Sequence, residues 1–520
     1  MKTLPIGIQT FEKIRRQDFL YIDKTGYFDR LIKGGYFFFS RPRRFGKSLL
    51  ISTLEALFQG KKQLFEGLAI AKGYQFPVYP VIRLGLSSIA NINATSLEED
   101  LRIKLARIAE NAGFSLPVDA SIEITFEALI VGLTKDAPLV LLVDEYDKPI
   151  LDQLSNLSVA EANRNFLRRF FGVLKSLDAH IHMVFLTGIT KFAKVSLFSE
   201  LNNLSDLSGD DCYASLLGWT RDEMNENFED HFRAMAQKLG CSVEEIHAVF
   251  AQMYNGYRFS DANITVYNPW SVINALERKR IANYWYDSGS PKFLMDEITR
   301  RLKQSIPFNI RGLYDFKLNA GMMPTLDISN AKLETLLLQA GYLTIKDTSG
   351  TPTNLKFHIG FPNLEVEVSL LSTLMEALVP KEVGQTEDQL DQLVTALETK
   401  DLESFFALLG NAFFANIPYE LHMPYEKYYQ TVFHTIFLLL KIRIRAEEST
   451  NVGLIDGVLN TDSCIYIIEF KWNGSAAAAL QQIKEKDYAG KYRASGKKII
   501  GVGVAFTERN IKEWTHEVLG

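Results

Sequence analysis

Gly46-Lys47-Ser48, followed well downstream by Asp144-Glu145, are residues whose types and order could handle a polyphosphate. They sit in YFFFSRPRRFGKSLL, Tyr36 to Leu50. Its aromatic start and Ser40 read as a buried strand with a polar exit, Pro42 bends the chain, and Leu49, Leu50, Thr53, Leu54 and Leu57 recur at helical spacing. Strand, loop and helix in this order aim backbone N–H groups and a helix N-terminus at one anion. Lys47 would reach the β- and γ-phosphates and Ser48 a magnesium ion, so ATP and Mg²⁺ are the expected cofactors. PLVLLVDEY, Pro138 to Tyr146, is an apolar strand ending in two carboxylates, with Asp144 placed to hold the magnesium and Glu145 to polarise an attacking water. The nucleotide-binding stretch is Arg43, Arg44, Phe45, Gly46, Lys47, Ser48 and Leu49, where Arg43 and Arg44 are candidates for phosphate contacts in the same or a neighbouring subunit. Arg41 stands where the pattern GxxxxGK[ST] asks for glycine, so the turn into the loop lacks glycine's freedom there.

A second constellation lies in the final third. VGLIDGVL, Val452 to Leu459, reads as a strand carrying Asp456, and CIYIIEFKW, Cys464 to Trp472, as a strand carrying Glu469 and Lys471. Residues two apart in a strand share a face, so Glu469 and Lys471 do, and hairpin pairing through Asn460 to Ser463 would bring Asp456 beside them. Two carboxylates and a lysine match metal-dependent phosphodiester cleavage. The carboxylates hold magnesium, and the lysine stabilises the nucleophile or the developing charge. A strand salt bridge would look similar, but these charges interrupt apolar strands, where charge without a use is costly.

Elements must position both sets. After the loop helix come a strand from Val78 to Leu86, helices from Ser96 to Gly113 and from Ser121 to Leu133, a strand over 139–143, the helix NRNFLRRFFGVLKSL and a strand from His182 to Thr187. Alternating strands and helices imply a parallel sheet covered on both faces. The chain also resembles the additional-strand class of P-loop ATPases, in which a strand lies between the loop strand and the carboxylate strand; that resemblance implies that strand 182–187 is the inserted one. Thr187 at its end is then placed to sense the γ-phosphate; the other reading is a polar terminus capping the next segment. From Gly218 amphipathic helices take over as a helical lid or adaptor, and GYLTIK and LKFHIGF flank a polar turn as a hairpin. Helices before a hairpin suggest a winged-helix-like module, which serves packing or protein contacts as readily as nucleic acid. VPKEVGQTEDQ, Val379 to Gln389, reads as a linker. The expected domains are therefore 1–217, a P-loop core; 218–378, a helical or winged-helix-like adaptor; and 379–520, which carries the second constellation.

Composition narrows the class. With 47% hydrophobic and 23% charged residues the chain is an ordinary globular protein, which excludes long disorder. No apolar run suits a bilayer, and the N-terminus lacks the apolar core of a signal peptide, so the cytoplasm is expected and no membrane. Cys212, Cys241 and Cys464 are too scattered for a disulfide framework or a zinc site, and His180 and His182 flank a strand. A net charge of −5 gives no global field for nucleic acid, so any such contact must be local.

RPRRFGKSLL, LLVDEYDKPI and FLTGITKFAKVSLFSELNNLSDLS together resemble the AAA-ATPase-like family of bacteria and archaea, whose members often carry a C-terminal PD-(D/E)xK nuclease-like domain. The resemblance implies an α/β fold: a P-loop core with a parallel sheet, a mainly helical centre and an α/β nuclease-like end. It also implies that arginine at position 41 is usual, and that the leader Ile6 to Leu31 packs near the base of the nucleotide; bracing the sheet is the other reading. The spacing D-x12-E-x-K, with the helix AAAALQQIKEKDYAGKY and the strand KKIIGVGVAF, resembles the PD-(D/E)xK superfamily. That likeness implies Glu426, on a helix from Tyr425 to Phe437, as a further metal ligand and Gln482 as the glutamine of the following helix. Gly453-Leu454-Ile455-Asp456 departs from the relatives' GRxD, which bears on substrate contact more than on metal. The function implied is ATP binding and hydrolysis joined to a metal-dependent nuclease acting on nucleic acid, DNA rather than RNA, in a chain that could oligomerise. The alternative is an ATP-dependent switch or scaffold whose degenerate nuclease-like domain only binds nucleic acid or a protein partner.

Overall fold

In the computed structural model the apolar segments of the N-terminal half pair as one parallel sheet. The strands are β1 (Gly35–Ser40), β2 (Val81–Gly85), β3 (Leu139–Asp144), β4 (Ile181–Gly188) and the short β5 (Ser205–Asp206), in the order β2-β3-β4-β1-β5. The structure describes all residues except 192–202, 288–291, 304–309, 315, 320–331, 352–353, 380–384, 417–425, 445–456 and 508–509. It forms two compact units, one of Met1–Glu297 with Leu313–Glu367 and one of Ile298–Gly312 with Val368–Gly520.

The first unit explains its own sequence pattern. Every residue of β3 is buried, as a strand covered on both faces requires, and helices Lys47–Phe58, Ala94–Asn111, Ile122–Leu133 and Leu157–Gly172 alternate with the strands. β4 lies between β1 and β3, the inserted-strand order expected from the sequence. β2 opens at Val81 rather than Val78, because Pro77 and Pro80 have no N–H to give a ladder and Val78 is exposed. The leader ends in two 3₁₀ turns, Thr25–Asp29 and Leu31–Lys33, with Gly34 in the left-handed region closing the second.

Beyond the sheet, helix Arg221–Leu239 is started by a Thr220/Glu223 capping box and stopped by left-handed Gly240, and helix Val243–Tyr254 by a Ser242/Glu245 box. Phe228, Phe232, Phe250 and Val272 share their apolar core with Leu4, Leu20 and Ile22, so the leader is built into the helical part. The hairpin is present as β7 (Thr344–Thr351) and β8 (Asn354–Gly360). It gains a third strand, β6 (Phe316–Asn319), which pairs with the free edge of β8.

In the second unit β9 (Gly457–Asn460), β10 (Cys464–Trp472), β11 (Lys498–Phe506) and β12 (Ile511–Val518) form a mixed sheet in the order β12-β11-β10-β9. β10 and β11 are parallel and joined through helix Ala476–Glu485. That helix lies so close that a Cβ on Gly503 would sit 2.1 Å from the Ala476 carbonyl oxygen. The segment Val379–Gln389 is helical from Gln385, where Leu390, Leu393 and Leu397 recur on a buried face; its Pro and Gly precede that start.

Candidate functional site

Parallel strands bring their C-terminal ends to one edge, and there β1 delivers the loop, β3 Asp144 and β4 Thr187. Arg44 (φ 68°) and Gly46 (φ 97°) take left-handed backbone, which turns the chain so that helix Lys47–Phe58 starts at the crevice. Lys47 is buried and its Nζ donates to the carbonyls of Arg41 and Pro42, both at 2.8 Å. Burial pulls its pKa down, opposed by Glu145, Asp144 and Asp147. Asp144 Oδ1 accepts the Thr187 hydroxyl at 2.8 Å, so Thr187 faces the carboxylate instead of capping the segment that follows. Glu145 has left-handed backbone (φ 55°), and burial raises its carboxyl pKa against the pull of Lys47.

Lys47, Ser48, Leu49, Phe45, Gly46, Arg43, Arg44 and Glu145 border one cavity of about 400 Å³, a size suited to a cofactor. Apolar side chains also line it, Ile8, Leu20 and Ile22 from the leader and Trp219, Trp270 and Ile273 from the helical part. A base and a polyphosphate have this polarity. Hard oxygen donors at Asp144 and Ser48 fit magnesium chemically.

Arg41 is only 2% exposed and belongs to the frame. Its guanidinium donates to the carbonyls of Ser40 (2.9 Å), Ser208 (2.8 Å) and Tyr213 (3.0 Å) and lies 4.2 Å from the Phe39 and Phe259 rings. Burial lowers its pKa to about 9. Three residues escaped the sequence reading. Asp147 Oδ2 accepts from the N–H of Ile189 (2.8 Å) and from the N–H (2.6 Å) and hydroxyl (2.8 Å) of Thr190, lacing the turn after β3 to the turn after β4. Trp270 holds the Arg44 guanidinium 4.4 Å from its ring, and Lys24 pairs with Glu223 on the cavity wall. A second acid just after Asp144-Glu145 was the one signal available for Asp147; nothing local marked the other two.

In the second unit Glu469 is buried and Lys471 half-buried on β10. One side-chain amide joins them: Gln482 donates to Glu469 Oε1 and accepts from the Lys471 ammonium, so both face helix Ala476–Glu485. β9 pairs with β10 in the expected antiparallel sense, Gly457 opposite Ile468. Asp456 lies outside the described residues, as does the side chain of Glu426, although helix Glu426–Arg443 is observed. Among the described residues no three His, Cys, Asp or Glu side chains converge as a metal cluster; the carboxylate of Glu469 is a donor of the kind magnesium takes.

An inserted-strand sheet with its loop at the C-terminal edge is a P-loop core, and the Glu469–Gln482–Lys471 sheet has the plan of a PD-(D/E)XK domain. Residues 5–198 match the family model described as Predicted AAA-ATPase, and residues 424–514 that of the PD-(D/E)XK nuclease superfamily. The chain is also 36% identical over 535 residues to the "Uncharacterized protein in vnfD 5'region" of Azotobacter chroococcum mcd 1, an alignment spanning 100% of this chain and 99% of the relative. This protein belongs to the AAA-ATPase-like family and carries a PD-(D/E)XK superfamily domain in its C-terminal part.

Proposed function

We propose that the protein binds and hydrolyses ATP at the edge formed by β1, β3 and β4, and that its second unit is a metal-dependent nuclease acting on DNA rather than RNA. The observation that carries the first part is Lys47, a buried cation satisfied on two loop carbonyls, beside the Asp144–Thr187 hydrogen bond. Such a lysine can exchange two neutral acceptors for the phosphate oxygens of a nucleotide, a charge-assisted and stronger pairing. The N–H groups from Phe45 to Leu49 cradle the phosphates, Arg43 and Arg44 add charge beside them, and Ser48 with Asp144 would hold magnesium. Glu145, whose pKa burial raises, takes the proton of the attacking water, and Thr187 orients against the γ-phosphate.

For the second part, Glu469 with Asp456 and Glu426 would hold magnesium, which when bound supplies a polarised water and a Lewis acid for the phosphodiester. Lys471 neutralises charge developing on the phosphate, and Gln482 keeps lysine and carboxylate in register. No described helix is long and apolar enough to cross a membrane, and a cytoplasmic role fits that finding. Plasmid and single-stranded DNA incubated with the protein, with and without ATP and Mg²⁺ or Mn²⁺, test the reading. Nicked or linear DNA with metal is expected; ATP turnover with intact DNA under every condition would leave a switch or scaffold.

A further inference from the structure

We propose that the segment from Lys484 to Lys498 carries, at Lys486 and Lys491, the surface on which the second unit receives the phosphate backbone of duplex DNA, a site that rests on the nuclease reading of that unit. In a chain of net charge −5 this short stretch carries Lys484, Lys486, Lys491, Arg493, Lys497 and Lys498 against Glu485 and Asp487. Half of these cations are spoken for. Lys484 pairs with Glu517 at 2.5 Å, Arg493 pairs with Asp487 at 2.5 Å, and Lys497 donates to Asn460 Oδ1 and the Thr461 carbonyl. Glu485 accepts from Gln481. Lys486, Lys491 and Lys498 are exposed, and among the described residues no carboxylate pairs with them.

Two of the three are also held in place. The Lys486 ammonium sits 5.8 Å from the Tyr488 ring centroid and that of Lys491 4.8 Å from Tyr492. Both rings are buried in the core cluster with Ile465, Ile467, Ile483 and Ile499, so the cations rest on rigid platforms. A lysine restrained in this way loses less rotamer freedom when it meets a phosphate. Solubility alone needs no such restraint.

Their position completes the argument. Gln482, which bridges Glu469 and Lys471, is one helical turn before Lys486, a rise of about 6 Å, and the Lys486 N–H donates to the Gln482 carbonyl at 3.1 Å. The helix runs back along β11, with Ala476 beside Gly503 and Leu480 reaching Gly501, and Lys498 opens β11 opposite Cys464. From Cys464 to Lys471 the strand covers roughly 23 Å, the length of about seven base pairs of duplex. Lys486 and Lys491 therefore continue from the proposed cutting residues along the helix-covered face, which carries Ile465 and Ile499, whereas alternation turns Lys498 to the other face with Cys464.

The test is fluorescence anisotropy of the full-length protein with a short labelled DNA duplex in EDTA, over a range of salt, so that neither metal nor cutting enters. Changing Lys486 and Lys491 together to Gln should weaken binding ~5-fold or more and flatten the plot of log K against log salt by roughly 2 units, while Arg at both positions should retain affinity and slope. Gln at the exposed lysines Lys62 and Lys72 of the first unit removes the same charge and should change affinity less than about twofold, as should Lys498→Gln on the other face of the sheet. Unchanged affinity and slope in the double variant, an equal loss in either control, or no salt-dependent binding by the unmodified protein overturns the proposal. Cutting is scored separately in Mg²⁺: a duplex bound through the two lysines yet never cut removes the nuclease reading and keeps the surface, whereas cutting with binding indifferent to them does the reverse.

Discussion

At the scale of single residues, Lys47 and Glu145 divide binding from chemistry. Lys47→Ala removes the cation that meets the phosphates and should abolish ATP binding in a filter or fluorescence assay. Glu145→Gln keeps the shape but not the base, so it should bind ATP and hydrolyse it ~10²–10⁴-fold more slowly; equal turnover would take Glu145 out of that role. The carboxyl pKa of Glu145 is raised, chiefly by burial, so its ionised form is less stable in the folded protein than in the unfolded chain. The penalty exists where the carboxylate is charged, grows as pH rises through the ordinary glutamate range and above, and fades as pH falls below it. Glu145→Gln should therefore melt higher than the unmodified protein at neutral pH, with the gap closing in acid; a lower Tm at neutral pH would contradict this. Lys47, Ser48, Asp144 and Glu145 were legible in the sequence because their chemistry is tied to local order, a loop before a helix and acids after a strand. Arg41 was not. The sequence shows a missing glycine, but the Phe259 ring and the Ser208 and Tyr213 carbonyls that receive its guanidinium come from distant parts of the chain.

Between elements, two cations make the ties: Lys24 joins the leader to the helical part, and Arg44 joins the loop to it. Lys24 Nζ lies 2.5 and 2.7 Å from the oxygens of Glu223 and 2.7 Å from the Ser215 carbonyl, while Glu223 also accepts the Thr220 N–H at the start of helix Arg221–Leu239. Glu223→Gln leaves the buried Lys24 ammonium without its charge partner and should cost about 3–5 kcal/mol in denaturant unfolding; Lys24→Met, which leaves the half-buried Glu223, should cost less, and the double variant should lose less than the sum. Additive losses would mean that the pair does not couple. Arg44 is held by stacking on Trp270, whose indole N–H is fixed to the Tyr284 carbonyl at 3.2 Å. Trp270→Ala should raise the KM for ATP and Trp270→Phe largely restore it; equal KM values in all three proteins would show that the stack is irrelevant to nucleotide binding. Element types were readable from periodicity, and the inserted position of β4 was implied by the likeness to the additional-strand class of P-loop ATPases. Edges and starts were harder: β6 has no alternation long enough to announce a strand, and the prolines before β2 shorten it without altering its apolar pattern.

For the whole molecule the question is whether ATP at the first unit alters cutting by the second. The buried acid Glu365 accepts the Ser271 hydroxyl at 2.7 Å and the Trp285 N–H at 2.9 Å, and Ser271 adjoins Trp270, the platform of Arg44. Glu365 belongs to helix Leu364–Leu378, within which the chain passes from the residues of one unit to those of the other at Glu367 and Val368. A phosphate that draws Arg44 from Trp270 thus bears on contacts at the start of that helix, and γ-phosphate contacts of this kind commonly hold one of two arrangements. Coupling has a measurable size, roughly 1–3 kcal/mol, equivalent to a 5- to 150-fold change in the cleavage-competent population. Glu145→Gln, which keeps ATP bound, should accordingly cut DNA at a rate clearly different from Lys47→Ala, which cannot bind it. Adding Glu365→Ala to Glu145→Gln should shrink that difference if the Ser271–Glu365 contact transmits it. Equal cutting by Glu145→Gln and Lys47→Ala across ATP concentrations would make the units energetically independent and assign ATP hydrolysis to assembly or translocation.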